Sequence, residues 1–510
     1  MFRPASDDSV WRYVDGASAR LRLGLPPILL DGLCEPTGAD PAGFADEASI
    51  TRTRFSTWGP SADEGDSTCV DRRRARSESG RTRDSRAVRV GRRFTRPISL
   101  IAAASGATAV APAAYLAILT AAAIRCGDGK RSSGPSAEGD EAVFVVCVPA
   151  HDEEATIRAT VSSLLAQNYP AGRFEVHVVA DNCSDSTAEI AAAAGASVHV
   201  RTAPADPGKG PALNWLHDRL IDGVDGECEL DFDVVVVVDA DTLAEPDFLS
   251  ALDGAFASGT VVAQGYYGVR DPGASSAVAL RYAALACRHH LRPLGRHGLG
   301  GSCGLFGNGM AFRRDVLADR RWTGHLVEDA EMQMELFAEG IQVDYVPTAR
   351  IAAEMPEGLE QAASQNERWE LGRAQLLSRY ASPLARSALA GGPLGRRAYA
   401  DALADLVLPP MSVLAAWDLS ALAVTGVAAT ATRTRASKSA MFGAGLATAM
   451  LVAHVLCALR MVRAPAAVYR GLLDAPRSVV WKLALLMRVA RRPRDVGWTR
   501  TQRNAEEVAA

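Results

Sequence analysis

Five consecutive valines, residues 234–238, run straight into Asp239-Ala240-Asp241. An apolar run without polar alternation can be a strand only if both of its faces are covered. That is the position of a central strand in a mainly parallel sheet with helices on either side. The flanking sequence agrees. AVFVVCVPA (142–150), FEVHVVAD (174–181) and SVHVRT (197–202) read as strands. EEATIRATVSSLLAQ (153–167) and STAEIAAAAGA (186–196) read as helices, the first stopped by Asn168-Tyr169-Pro170 and the second closed by Gly195. Strand and helix signals alternate through residues 142–380, so this stretch is expected to be an α/β domain.

Outside it the chain changes character. Residues 1–97 are polar and irregular, and the Arg/Ser/Asp stretch between Arg72 and Arg96 cannot bury a core, so this extension is expected to be disordered. It lacks the charged start and apolar run of a signal peptide. Residues 98–124 contain no charged side chain and are long enough to cross a bilayer, though a buried Ala-rich helix is the alternative. Two further spans are expected at 403–431 and 440–462, separated by Arg433, Arg435 and Lys438. Asp405 and Asp418 fall in the first of these, and a carboxylate at membrane depth must lie near an interface, face another helix or line a polar channel. Residues 381–402 are expected to be an interfacial connector. Arg and Lys recur among apolar residues at helical spacing over 468–492, so the segment 466–510 reads as an interfacial helix followed by a basic cytoplasmic tail.

The short basic link at 433–438 and the eleven Arg or Lys of 460–503 place the C-terminus on the same side as the α/β domain. Three spans then put the N-terminus opposite, against the inside preference of Arg89, Arg92, Arg93 and Arg96. Either 98–124 is re-entrant or interfacial, or the working chain begins near residue 94; the second is the expectation. The formal charge of −4 gives no reason to expect nucleic acid as a partner. Nine scattered cysteines with no C-x-x-C argue against a zinc site or a disulfide framework and suit a reducing compartment.

Four motifs and one lysine carry chemistry. Asp239 and Asp241 close a buried strand, where a carboxylate pair can grip a divalent cation. Asp181 ends another strand; it can accept from a base imide N–H, or cap the following helix as Ser184 or Asp185 can. Lys209, one of only four lysines, stands between Gly208 and Gly210, placed for a phosphate or base contact or simply exposed on a turn. Glu328-Asp329 heads the helix AEMQMELFAEG, where acids favour the helix dipole and where a general base for an incoming hydroxyl could also sit. Gln365, Arg368 and Trp369 form Q-x-x-R-W on one helical turn. Arg368 can fork onto a diphosphate and Trp369 can stack on a sugar ring, or the pair can be surface and core.

Taken in this order, Asp181, DAD, Glu-Asp and Q-x-x-R-W resemble the membrane-bound family-2 glycosyltransferases, among them cellulose, hyaluronan, chitin and bacterial exopolysaccharide synthases. The likeness runs from about residue 143 to 503 and includes VPAHDEE (148–154), LGGSCGLFGNGMAFRRDVL (299–317) and WTRTQR (498–503). It implies a GT-A fold, inverting transfer from a nucleotide-sugar donor expected to be UDP-linked, and Mg²⁺ or Mn²⁺ at Asp241 and Asp239. It makes Asp329 the base, with Glu328 beside it. The donor is assigned to Asp181, Lys209, Asp239, Asp241, Arg368, Gln365 and Glu153. The acceptor is assigned to Trp369, Gly307, Asn308 and Gly309. The acceptor is expected to be a saccharide in exopolysaccharide or cell-surface glycan synthesis, with transfer to a lipid-linked saccharide as the alternative and a non-catalytic scaffold as the rival class. Location in the plasma membrane follows, with the catalytic domain on the cytoplasmic side and any export partner unspecified. One departure is Asp152, where relatives usually carry Asn.

Overall fold

The computed structural model describes residues 71–127, 140–220 and 231–489, and of residues 71–94 the backbone alone. Residues 1–70 of the extension expected to be disordered, and the tail containing WTRTQR, lie outside the described residues. From Asp71 the backbone is already helical, the start of α1 (Asp71–Cys126).

The α/β domain then unrolls in chain order. β1 (Phe144–Ala150), α2 (Ile157–Leu165), β2 (Phe174–Asp181), α3 (Thr187–Ala193), β3 (Ser197–Arg201) and α4 (Lys209–Leu220) lead to the valine strand β4 (Val234–Val237). β5 (Thr242–Ala244), α5 (Phe248–Ala257), β6 (Val262–Val269) and α6 (Ser276–Ala286) follow. A wide turn at Cys287–Leu291 passes into α7 (Arg292–Gly298), then β7 (Met310–Arg313), α8 (Arg314–Ala318), α9 (Glu328–Ala338) and β8 (Asp344–Ala353). The sheet order is β3-β2-β1-β4-β7-β6-β8-β5. One half, β3-β2-β1-β4, is wholly parallel, whereas β7 runs antiparallel to both β4 and β6. The result is a mixed α/β sheet with helical flanks. Every residue of β4 is buried, as the unbroken valine run requires.

The C-terminal third is helical: α10 (Ala363–Ala390), α11 (Gly395–Val407), α12 (Met411–Thr432), α13 (Arg435–Met461), α14 (Ala466–Gly471) and α15 (Ala475–Val489). Three helices are long and apolar enough to cross a membrane: Thr95–Cys126, Met411–Thr432 and Arg435–Met461. The span expected at 403–431 is divided. Pro409-Pro410 ends α11 at Val407, because proline lacks an N–H and excludes the helical conformation from the residue before it. Asp405 therefore belongs to α11, while Asp418 is buried within α12. The long helices meet through small residues, Ala109, Ala113, Ala421, Ala444 and Ala447, which let backbones approach closely. A Cβ on Gly295 of α7 would lie 2.4 Å from the Leu119 carbonyl oxygen, so only glycine permits α7 to lie this close to α1.

Beside that crossing lies a part-buried ionic cluster around the buried guanidinium of Arg296. Arg292 pairs with Asp405, and Arg296 reaches Asp401 Oδ2 at 2.7 Å and Asp405 Oδ2 at 3.3 Å. The Tyr115 hydroxyl donates to Asp401 Oδ1 at 2.9 Å. Burial opposes the Asp405 charge, but Arg292 and Arg296 outweigh it and hold the carboxyl well below its usual range.

Candidate active site

The chemistry-bearing residues gather where β1, β2 and β4 end, the edge at which open α/β sheets bind ligands. Asp181, the last residue of β2, is buried, and the parallel register pairs it with Arg201 at the end of β3. Arg201 Nη1 lies 2.5 Å from Asp181 Oδ1, and its Nη2 lies 2.9 Å from Asp206 Oδ2. Asp181 Oδ2 accepts a long bond, 3.4 Å, from the Gly208 N–H. The Asp181 carboxylate is thus built into an ion pair that the motif alone does not announce. Arg201 also lines a cavity of about 330 Å³ between Trp215 and Trp322, which Asp239, Glu328 and Asp329 do not line.

The two loops beside this edge are stapled together. Asp152 and Asn182 have φ of 53° and 52°, a region that Asp and Asn tolerate better than most side chains. Asp152 Oδ1 accepts from the Ser184 N–H at 2.7 Å, so the charge that marks a departure from relatives serves the neighbouring loop. Glu153 is buried; its Oε2 accepts from Thr156 Oγ1 at 3.0 Å and its N–H donates to Thr187 Oγ1 at 2.7 Å. Asp152, Cys183 and Asp185 form the one cluster of three metal-capable groups among the described residues, and Asp239 and Asp241 are not part of it.

At the centre stands Lys209, the first residue of α4. Its ammonium donates to Asp239 Oδ1 at 2.5 Å and to the Gly307 carbonyl. Burial alone would push this ammonium down, but Asp239, Glu328 and Asp329 together hold it above its ordinary value. Burial and the Asp329 charge push the Glu328 carboxyl up to about 7, and burial raises Asp329 as well. The two carboxyls adjoin, so they titrate as a pair. The Lys209 ammonium thus faces three carboxyls, and the Arg288 guanidinium also favours the Asp329 charge.

The loop 304–309 forms the opposite wall. Gly307 has φ of 78°, and a Cβ there would lie 3.3 Å from Asp329 Oδ2 and 3.7 Å from Lys209 Nζ, so only glycine brings backbone this close to both. Gly309, with φ of 68°, has no room either, since a Cβ would meet Ile351 Cδ1 at 2.7 Å. Asn308, expected beside the acceptor, is wholly buried: its Oδ1 accepts from the Asp239 N–H at 3.1 Å and its Nδ2 donates to Thr242 Oγ1 at 2.7 Å. Its side chain fixes the Asp239 strand end. Gln264 completes the wall, accepting from the Phe306 N–H at 2.9 Å and donating to the Asn308 carbonyl at 2.8 Å. Behind it, the rings of Tyr267, His289 and Phe306 stack in a column with centroids 5.0 and 4.3 Å apart. Burial and the charges of Asp241 and Asp239 keep the Tyr267 phenol protonated far above its ordinary range.

Gln365, Arg368 and Trp369 lie near the start of α10. Trp369 is 36% exposed, enough to offer a ring face. Gln365 Oε1 accepts from Arg281 of α6, whose guanidinium also sits 5.6 Å from the Trp369 ring centre. No local pattern marks Arg281 as a site residue, nor Glu331. The buried carboxylate of Glu331 joins Arg379 of α10 at 2.7 Å to His325 at 2.6 Å and Thr323 at 2.5 Å, tying the loop before Glu328 to α10.

Residues 141–372 match the family described as Glycosyltransferase like family 2. The probable glycosyltransferase YdaM of Bacillus subtilis (strain 168) is 27% identical over 249 residues, covering 46% of this chain and 56% of that protein; the chain thus spans little more than half of its relative. Among solved structures, the mannosyltransferase PcManGT from Pyrobaculum calidifontis, in complex with GDP-Man and Mn²⁺, aligns with TM-score 0.46 and 16% identity over 72% of this chain and 98% of its own. Glucosyl-3-phosphoglycerate synthase from Mycobacterium tuberculosis, in complex with Mn²⁺, UDP and phosphoglyceric acid, aligns with TM-score 0.33 and 23% identity over 47% of this chain and 78% of its own.

Proposed function

We propose that this protein, whose residues 141–372 are a family-2 glycosyltransferase domain, transfers a sugar from a nucleotide-sugar donor, UDP-linked, to a saccharide acceptor with inversion. The observation that carries the reading is the set of three carboxylates, Asp239, Glu328 and Asp329, around Lys209 at the strand ends. Asp329 takes the proton from the acceptor hydroxyl. The freed oxygen attacks the anomeric carbon as the bond from that carbon to the diphosphate breaks, and the nucleoside diphosphate leaves with the electron pair. A carboxyl raised by burial suits a base working near neutral pH. Asp181 and Arg201 bound the nucleoside end, Lys209 and Arg368 meet the diphosphate, and Trp369 and the Gly307–Gly309 backbone face the acceptor.

Asp239 and Asp241 are the residues that would hold a divalent cation, Mg²⁺ or Mn²⁺. The fit is chemical: the centre holds more negative charge than Lys209 balances, and such ions are held by one or two carboxylates plus substrate phosphates. When bound, the cation neutralises charge on the departing diphosphate. Lys209 now occupies Asp239 Oδ1, so donor binding with a cation requires it to turn toward phosphate.

The three long apolar helices support a bilayer setting, with the catalytic domain on the cytoplasmic side where nucleotide sugars are made, and they favour a lipid-linked saccharide as the second reading of the acceptor. Membranes carrying the protein, incubated with a panel of radiolabelled nucleotide sugars, should incorporate label from at least one. Incorporation from none, with nucleoside diphosphate release also absent, would defeat the reading. One product size indicates single transfer to a lipid-linked acceptor, and a ladder indicates polymer synthesis.

A further inference from the structure

Lys482 is one of four lysines in a chain that otherwise writes arginine, and it lies on α15, far in sequence from every motif of the site. It is 8% exposed, unusual for an ammonium without a structural task. Its Nζ donates to Asn366 Oδ1 at 2.8 Å and pairs with Glu370 Oε1 at 3.0 Å. Asn366 and Glu370 are four residues apart and so share one stripe of α10. Gln365 and Trp369, also four apart, make up the adjacent stripe, and Arg281 of α6 lies against both. The first turns of the acceptor helix are therefore gripped on two neighbouring faces by two cations from different parts of the chain. Glu370 is itself buried, with Arg373 Nε at 3.3 Å as its other cation. Loss of Lys482 would leave a buried carboxylate short of charge, a state that the helix can relieve by rotating Glu370 toward solvent. Such a rotation carries Trp369 and Arg368 with it.

We propose that Lys482 is a positioning residue for sugar transfer: from α15 it holds the Asn366–Glu370 stripe and so sets the rotation of α10 that presents Trp369 and Arg368 to the acceptor and diphosphate. This rests on the reading above that Trp369 and Arg368 serve those groups. A misplacement of about 1 Å at a reacting site can cost about a hundredfold in rate. Lys482 touches neither Lys209 nor the carboxylates at the reaction centre, so the loss should fall more heavily on transfer than on UDP binding, of which only the Arg368 contact moves with α10.

The test uses the full chain in membranes or nanodiscs. Lys482→Met should lower kcat for transfer by about 10- to 100-fold, while the Kd for UDP in Mn²⁺ rises by no more than about fivefold, the scale of the single Arg368 contact. Lys482→Arg should recover most of the rate, and the exchange Lys482→Glu with Glu370→Lys should recover more than either single change. Amide hydrogen exchange over residues 363–372 should quicken in Lys482→Met and return in Lys482→Arg. Wild-type kcat in Lys482→Met would overturn the proposal, as would a UDP affinity that falls in step with kcat or an Arg variant as impaired as Met. Should Lys482→Met fail to fold, the Arg variant and the charge exchange decide the same question. If wild-type membranes transfer no sugar at all, the functional reading fails by itself. Hydrogen exchange at 363–372 then still decides whether Lys482 holds the helix, and unchanged exchange would refute the latch.

Discussion

Two part-buried groups of charges in this protein use the same ingredients to opposite ends. Beside α1, the carboxylates Asp401 and Asp405 meet two guanidinium groups, Arg292 and Arg296, and a Tyr115 hydroxyl. Charge closes there, and Asp405 is held below its ordinary value of 3.8. At the strand ends, Asp239, Glu328 and Asp329 share the Lys209 ammonium, Asp241 adds a further carboxylate, and the Arg288 guanidinium acts on Asp329 as it does on Asp405. Charge does not close, and the carboxyls of Glu328 and Asp329 rise. A balanced cluster joins helices. An unbalanced one stores a demand for positive charge and for protons, which a donor, its cation and an acceptor hydroxyl can meet.

The two clusters should respond to pH with opposite sign. Asp405, with its depressed folded value, contributes stability that is present above 3.8 and is lost as pH falls through the lower folded value. Glu328 is raised from 4.5 to about 7, so the folded state holds the extra proton between those values, and its contribution declines as pH rises across that window. The carboxylate end is the place where the fold gives up stability for chemistry.

Breaking each cluster sharpens the contrast. The largest effect is expected at the reaction centre: Asp329→Asn should lower transfer by about 10²–10⁴-fold while UDP binding persists, since a positioned general base is worth that much. Near-normal turnover in a radiolabel transfer assay would remove Asp329 from the role. Arg296→Met should do the reverse, destabilising the fold by roughly 1–3 kcal/mol through the part-buried Asp401 and Asp405 it abandons, and leaving kcat per folded molecule close to wild type. Chemical unfolding in detergent reads the first and active-site titration the second; an equal loss of kcat would mean that the clusters are not separable. The smallest effect is expected for Glu328→Gln, because Glu328 already carries a proton for much of the time near neutrality. Its rate at pH 7 should stay within a few-fold, at roughly the scale of a single polar contact. The acid limb of transfer, set by the base Asp329, should move to lower pH once the charge of the adjoining Glu328 is gone, because the two carboxyls titrate as a pair. An unmoved limb would place the titrating group elsewhere.

Much of this contrast is legible in the sequence on one side and little on the other. Asp181, Asp239, Asp241, Glu328 and Asp329 can be found because local pattern, an apolar run ending in an acid or an acid pair opening a helix, places them without knowledge of the fold. Arg201 beside Asp181 depends on strand register, Arg281 beside Gln365 and Lys482 beside Glu370 on packing between elements distant in the chain, and none of these leaves a local signal. Asn308 is legible as part of a glycine-rich loop, but its burial against Asp239 is not. The break at Pro409-Pro410 is written in the sequence, and the hydropathy of 403–431 obscures it. The paired cluster on α7 and α11 is hidden for the same reason: Asp405 looks like an acid in a span until the proline break moves it to a helix facing Arg292 and Arg296.

The central claim is that the strand-end cluster holds surplus negative charge that donor and cation complete together. Calorimetric titration of the full chain with UDP at pH 7, in buffers of different ionisation enthalpy and with Mn²⁺ or EDTA, tests it without knowledge of the sugar. Tight binding only with Mn²⁺, accompanied by release of a proton that disappears in Glu328→Gln, is the result expected from a Glu328 carboxyl near 7. Binding of equal strength in EDTA, with no proton released, would contradict the account.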